Sequence, residues 1–350
     1  MNRIAACAFA TLSLLACSEQ PDPANNVIDG ISFVGLTVSD IDQSAALYSQ
    51  AADLRTVSEE DDAYASMEAI APILDLVGDE SIGVKTRMLR SSNAQLRLMQ
   101  FDSPSTAADP DGAVPVNGPG IAHVCFQVVD DTQTYQKLLA GGATPIGDAE
   151  MVQLNPRNPV QYAYALDPDG IMVEVEHIDI TELELDEPPK NNYRIRHVSL
   201  ATPDIDRAVD FYSVLLNDPD PRRAGTLIKL SGENIDRVSG LPDSEIEMAW
   251  FQTRNLELEL IQYHSHPTTL PDAPRPVNAL GYNMIVFDAP DIDAARTRLL
   301  EAGGTIASEV AAMDGGEILF GRDPDGNLLG FQKVDATALV SSQHFKDNGL

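Results

Sequence analysis

Hydrophobic and polar positions alternate over residues 33–38, 123–128, 197–201 and 284–288, and each run then gives way to a three-and-four spacing. The stretch HVSLATPDIDRAVDFY (197–212) shows the switch. His197, Ser199 and Ala201 share one face of a strand, while Val198 and Leu200 share the other. Apolar residues then recur at Ile205, Ala208, Val209, Tyr212 and Leu215, the period of an amphipathic helix. FVGLTVSDIDQSAALY, HVCFQVVDDTQTYQKL and MIVFDAPDIDAARTRL repeat the outline, led by Phe33, His123 and Met284. Seven places after each lead residue stands an acid: Asp40, Asp130, Asp204 and Asp291. A carboxylate there predicts an N-cap, because it accepts the free N–H groups of the first helical turn. Copies two and four leave their helices through Ala140-Gly141-Gly142 and Ala302-Gly303-Gly304, a glycine stop.

More strands close each copy. VKTRML and QLRLMQF serve copy one, and IEMAWFQ and LELELIQY serve copy three. In copies two and four the last two strands flank a Pro-Asp-Gly turn, in ALDPDGIMVEV and GRDPDGNLLGF. The chain is therefore predicted to be α+β, with four βαβββ modules over 30–103, 119–179, 194–265 and 279–335. Residues 180–193 read as a linker between the halves and 336–350 as a tail.

With 350 residues, 43% of them hydrophobic, the chain supports full cores without cross-links. Its 54 acidic against 23 basic residues give a charge of −31, which excludes a nucleic-acid partner. A small-molecule ligand and a monomer are expected. At the N-terminus one Arg precedes an apolar run, Ile4 to Ala16, too short for a membrane span. Leu14-Leu15-Ala16-Cys17 resembles the lipobox of bacterial lipoprotein signal peptides. The resemblance implies removal of residues 1–16 and acylation of Cys17. Residues 17–29 then form a tether, and Ser18 resembles signals for the outer membrane. The expected location is the cell envelope, on the periplasmic side of the outer membrane, with the membrane touched only through the lipid. Cys125 is then the one unmodified cysteine, so no intramolecular disulfide is expected.

Tandem βαβββ units, a His leading the first strand and DPDG-x-x-x-Glu on the last resemble the vicinal oxygen chelate superfamily. Its members include glyoxalase I, epimerases, extradiol dioxygenases and bleomycin-binding proteins. The resemblance covers residues 30 to about 335. It implies that two modules curl their sheets into one open barrel. It also implies metal ligands at the lead residue and at one residue of the final strand. The final-strand position lies seven residues past the first Asp of DPDG, at Glu174 in copy two and Gly330 in copy four. Aligned directly, copies one and three offer Arg97 and Glu259. Copy one thus holds Phe33 and Arg97, and copy four holds Met284 and Gly330. Neither pair suits a metal. His123, Glu174, His197 and Glu259 all fall in the middle copies.

Two pairings are open. Extradiol dioxygenases pair neighbouring modules, which here leaves two half-sites. Fused glyoxalase I enzymes pair one with four and two with three, which gathers all four residues in one barrel, and this pairing is favoured. Two imidazoles and two carboxylates suit one divalent ion: Zn, Ni, Mn or Fe. The resemblance then implies a glyoxalase I-like lyase or an epimerase. The metal would hold two vicinal oxygens and favour an enediolate, with Glu174 or Glu259 as catalytic base. Glutathione is not expected, since Ala201 and Tyr263 replace the Arg and Asn of glutathione-dependent relatives. The rivals are an Fe(II) extradiol-type dioxygenase, which uses two His and one carboxylate, and a metal-free binding protein. Cys125 and Gln127 share the face of His123. His177, His264 and His266 lie just beyond final strands and are expected at the surface, the alternative being a place behind the metal ligands.

Overall fold

The computed structural model describes residues 27–57, 67–79, 81–103, 114–182 and 192–349. The signal-like segment with Cys17, most of the tether and most of the linker lie outside the described residues.

Four modules follow one another. The first has β1 (Gly30–Thr37), α1 (Ile41–Ala52), β2 (Arg55–Thr56), α2 (Met67–Val77), β3 (Val84–Arg90) and β4 (Gln95–Phe101). The second has β5 (Gly120–Val129), α3 (Thr134–Ala140), β6 (Thr144–Pro145), β7 (Val152–Gln153), β8 (Val160–Leu166) and β9 (Met172–Ile178). The third has β10 (Tyr193–Ala201), α4 (Ile205–Leu215), β11 (Arg222–Ala224), β12 (Leu230–Ser231), α5 (Glu233–Ser239), β13 (Glu245–Gln252) and β14 (Glu257–Tyr263). The fourth has β15 (Gly281–Asp288), α6 (Ile292–Glu301), β16 (Thr305–Ile306), β17 (Ala311–Met313), β18 (Gly316–Arg322) and β19 (Leu328–Lys333).

Asp40, Asp204 and Asp291 cap their helices as expected, each accepting backbone N–H groups two or three residues on. Asp130 does not. Residues Asp130–Thr132 form a 3-10 turn, and α3 begins only after Gln133, whose φ of 57° starts the helix three residues late. Helices α2 and α5 were not expected either. They are insertions between the short strands and the long hairpin of modules one and three.

The strands form two sheets. One runs β16-β18-β19-β15-β1-β4-β3-β2 and joins modules four and one. The other runs β11-β13-β14-β10-β5-β9-β8-β6 and joins modules three and two. At each seam the lead strands meet antiparallel, β15 on β1 and β10 on β5. The largest core lies between sheets and helices, where Val198, Leu200, Val124 and Phe126 turn their apolar faces to α1, α3, α4 and α6.

Candidate metal centre

β5 and β10 run side by side through the middle of the ten-stranded sheet, with Ser199 opposite His123. Both strands are irregular there. Ile195 faces Phe126 and Val198 faces Val124, so Arg196 and His197 together oppose Cys125. Leu200 faces Ile121, which leaves Ala122 as an extra residue beside His123. Bulges of this kind re-aim side chains. Outside the lead strands, β9 sets Glu174 beside Cys125 and β14 sets Glu259 beside Ser199.

The four side chains converge. His123 Nε2 lies 3.3 Å from His197 Nε2 and 3.2 Å from Glu174 Oε2. His197 Nε2 lies 2.8 Å from the same oxygen. Glu259 Oε2 lies 3.7 Å from His123 Nε2 and 3.4 Å from His197 Nε2. All four residues are buried, at 1–6% exposure. Burial disfavours the His197 cation, but Glu259 and Glu174 outweigh it and hold its pKa above the ordinary value. Burial likewise works against ionised Glu174, yet hydrogen bonds from both imidazoles outweigh it and hold its pKa low.

This donor set fits a divalent ion. Imidazoles ligate in their neutral form, so as ligands the two carboxylates and two rings would carry about −2, which a divalent ion balances where water is excluded. The Nε2 atoms face each other, and the Nδ1 atoms of both rings have no hydrogen-bond partner among the described residues. A ring that carries its proton on Nδ1 turns its Nε2 lone pair to that common centre.

Residues that the sequence did not single out shape the cluster. Trp250 stands opposite Glu259 on β13, and its Nε1–H donates to Glu259 Oε1 at 2.8 Å. The Arg222 guanidinium lies 3.9 Å from its ring centre. Tyr164 stands opposite Glu174 on β8, its ring centre 5.2 Å from that of His123. Both were reachable from sequence by counting back across the hairpin turns. Cys125 is fully buried beside Glu174 and Glu176, and burial followed by those two charges pushes its thiol pKa up. Gln127 donates to Glu176 at 2.6 Å, and Arg196 pairs with Glu176 and Glu257.

The other histidines do not join. His177 is 3% exposed, so the expectation of a surface position is wrong for it. It lies on the helix face of β9, opposite to Glu174 and Glu176, with its Nε2 3.5 Å from the Tyr135 amide. His264 lies 3.3 Å from Glu247, and His266 contacts Ser265.

In the other barrel the equivalent positions are filled. Phe33 and Met284 are fully buried in an apolar core with Phe320 and Met99. A Cβ on Gly330 would meet Val286 at 2.9 Å. Arg97 stacks 5.2 Å from the Phe33 ring centre and grips Asp314 through two hydrogen bonds of 2.6 and 3.0 Å.

A family model described as the Glyoxalase/Bleomycin resistance protein/Dioxygenase superfamily matches residues 30–175 and 194–331. The chain belongs to this superfamily. Among solved structures it resembles glyoxalase I from Zea mays, with 17% identity and a TM-score of 0.58, covering 87% of this chain and 92% of that one. It also resembles a putative dioxygenase from Bacillus subtilis, with 12% identity and a TM-score of 0.53, covering 91% and 87%. At such identities the likeness concerns the fold. No curated protein matches the sequence.

Proposed function

We propose that this superfamily member binds one divalent ion, Zn, Ni, Mn or Fe, through His123, Glu174, His197 and Glu259. On this reading it is a lyase or epimerase of glyoxalase I type, acting on a small molecule with vicinal oxygens. The carrying observation is that two imidazole Nε2 atoms, 3.3 Å apart, each lie within 3.7 Å of both carboxylates across the module seam. When bound, the ion supplies Lewis acidity, which makes a proton on carbon beside a carbonyl easier to remove. One glutamate would take that proton and return it, to the neighbouring carbon in an isomerising lyase or to the opposite face of the same carbon in an epimerase. The apolar end of the barrel, with Ile261, Tyr263 and Met172, excludes water and favours an uncharged substrate flank over a tripeptide. Tyr263 occupies a place that a glutathione-dependent relative gives to Asn.

Metal analysis of the purified chain tests this. About one equivalent is expected in the wild type and none in the His123→Ala, His197→Ala double variant. Hydroxycarbonyl compounds incubated in D2O should exchange hydrogen at carbon, and Glu174→Gln or Glu259→Gln should stop it. A wild type without metal leaves the binding-protein reading standing, and oxygen uptake by an iron form favours the dioxygenase. We further propose that Cys17 is acylated and holds the protein at the envelope. Metabolic lipid labelling should mark the wild type and not Cys17→Ser; an unlabelled wild type defeats that proposal.

A further inference from the structure

At 1–6% exposure, the cluster is sealed from any metabolite unless a wall moves. The outer strands of the ten-stranded sheet belong to modules three and two, with β11 at one end and β6 at the other. Helix α5 bridges the two halves. It belongs to module three, yet it packs on β7 and β8 of module two as well as on β12. Val238 is its one buried apolar side chain, set among Tyr164, Met172 and Tyr263.

Ile235 packs half-buried against the same cluster, and polar contacts flank it. Arg237 Nε meets Asp148 Oδ2 at 2.6 Å, with both side chains about 40% exposed (41% and 42%). The Asp148 amide donates to the Arg237 carbonyl at 2.7 Å, and Asn234 donates to the Gln153 carbonyl at 3.1 Å. Half-exposed ion pairs hold weakly, and seven residues make no stable helix alone. Glycines with left-handed backbone flank the helix, Gly232 at φ 132° and Gly240 at φ 71°.

The other barrel supplies a comparison. There α2 occupies the same place between modules one and four, packed on β17. Its Ile70, Ile73 and Leu74 are each 1% exposed, in one apolar cluster with Phe33, Met284 and Phe320. The helix over one barrel buries three apolar side chains, whereas α5 buries one and adds an ion pair and hydrogen bonds across the module seam.

We propose that α5 is a lid, hinged at Gly232 and Gly240 and latched by Arg237 to Asp148, which opens to admit small molecules to the cluster. This rests on the cluster being the reactive site, but opening is measurable without metal or substrate. Cys125, buried beside Glu174, reports it. In the full chain, methyl methanethiosulfonate labelling is followed on the peptide that carries Cys125. Labelling of Arg237→Ala should be about three- to fivefold faster than wild type and independent of low urea. Adding Asp148→Ala should give no further gain. In the wild type, α5 amides should exchange with deuterium at least about tenfold faster than those of α2. The lid is overturned if α5 is protected like α2. It is equally overturned if Cys125 labels at one rate in wild type and Arg237→Ala, or only as the whole chain unfolds. Because neither readout uses a bound ion, a failure of the metal assignment and a failure of the lid are told apart.

Discussion

Glu174 and Glu259 occupy equivalent places, one in each central module, but their surroundings differ. Trp250 donates its indole N–H to Glu259, whereas Tyr164, across from Glu174, sets its ring beside His123. A fixed donor holds a ligand's orientation, and its loss typically lowers metal affinity by about 10- to 100-fold. Trp250→Phe should therefore weaken metal binding by about tenfold or more, while Tyr164→Phe changes it far less. Chelator competition measures both. Trp250 is the only tryptophan, so metal binding should also alter all of the protein's indole fluorescence. Equal effects of the two substitutions would mean that Trp250 does not position Glu259.

At the scale of elements, the Pro-Asp-Gly turns do more than reverse the chain. Asp167 accepts the amides of Asp169 and Ile171 and, at 2.7 Å, the hydroxyl of Tyr48 from α1 of the neighbouring module. Asp323 repeats this with Tyr212 of α4 at 2.9 Å. Burial, only partly offset by these bonds, pushes both carboxyls from 3.8 up to about 6. The folded chain thus keeps protons that the unfolded chain has released. Each group withdraws stability as pH rises from about 4 to 6, by roughly 1.4 kcal/mol per pH unit. Asp167→Asn with Asp323→Asn removes that dependence. Urea denaturation should show the variant gaining on wild type between pH 4 and 6.5. A constant difference across that range would mean that these carboxyls do not carry raised values.

For the whole molecule, the two barrels are tied by paired asparagines. Asn93, in the β3–β4 turn, bonds the backbone of Ile195 on β10, and Asn255, in the β13–β14 turn, bonds the backbone of Ile31 on β1. Each also donates to the other's carbonyl, and both are fully buried. Asn255→Ala leaves buried backbone groups unpaired, so it should cost about 2 to 3 kcal/mol. Chemical denaturation measures it. Combined with Asn93→Ala, the loss should fall short of the sum, because the two share partners. Strict additivity would show that they act apart. In the filled barrel Arg97, paired with Asp314, stands where the central one has Glu259.

Much of this was written in the sequence. A period of two that switches to 3.6, acids at the caps and Pro-Asp-Gly turns are local, so they mark four modules and alternate faces without reference to any distant residue. The placing of His123, Glu174, His197 and Glu259 on inward faces follows from strand alternation alone. Their meeting does not. It required β5 to pair with β10 rather than β1 with β5, and bulges at Ala122 and at Arg196–His197 that aim both imidazoles to one centre. Helix α5 left little trace, because seven residues with Ile235 and Val238 as their apolar side chains give no clear period. The hydrogen bond of Trp250 and the late start of α3 at Gln133 were decided by packing. Local pattern fixes which way a side chain faces; only closure of the chain decides what it faces.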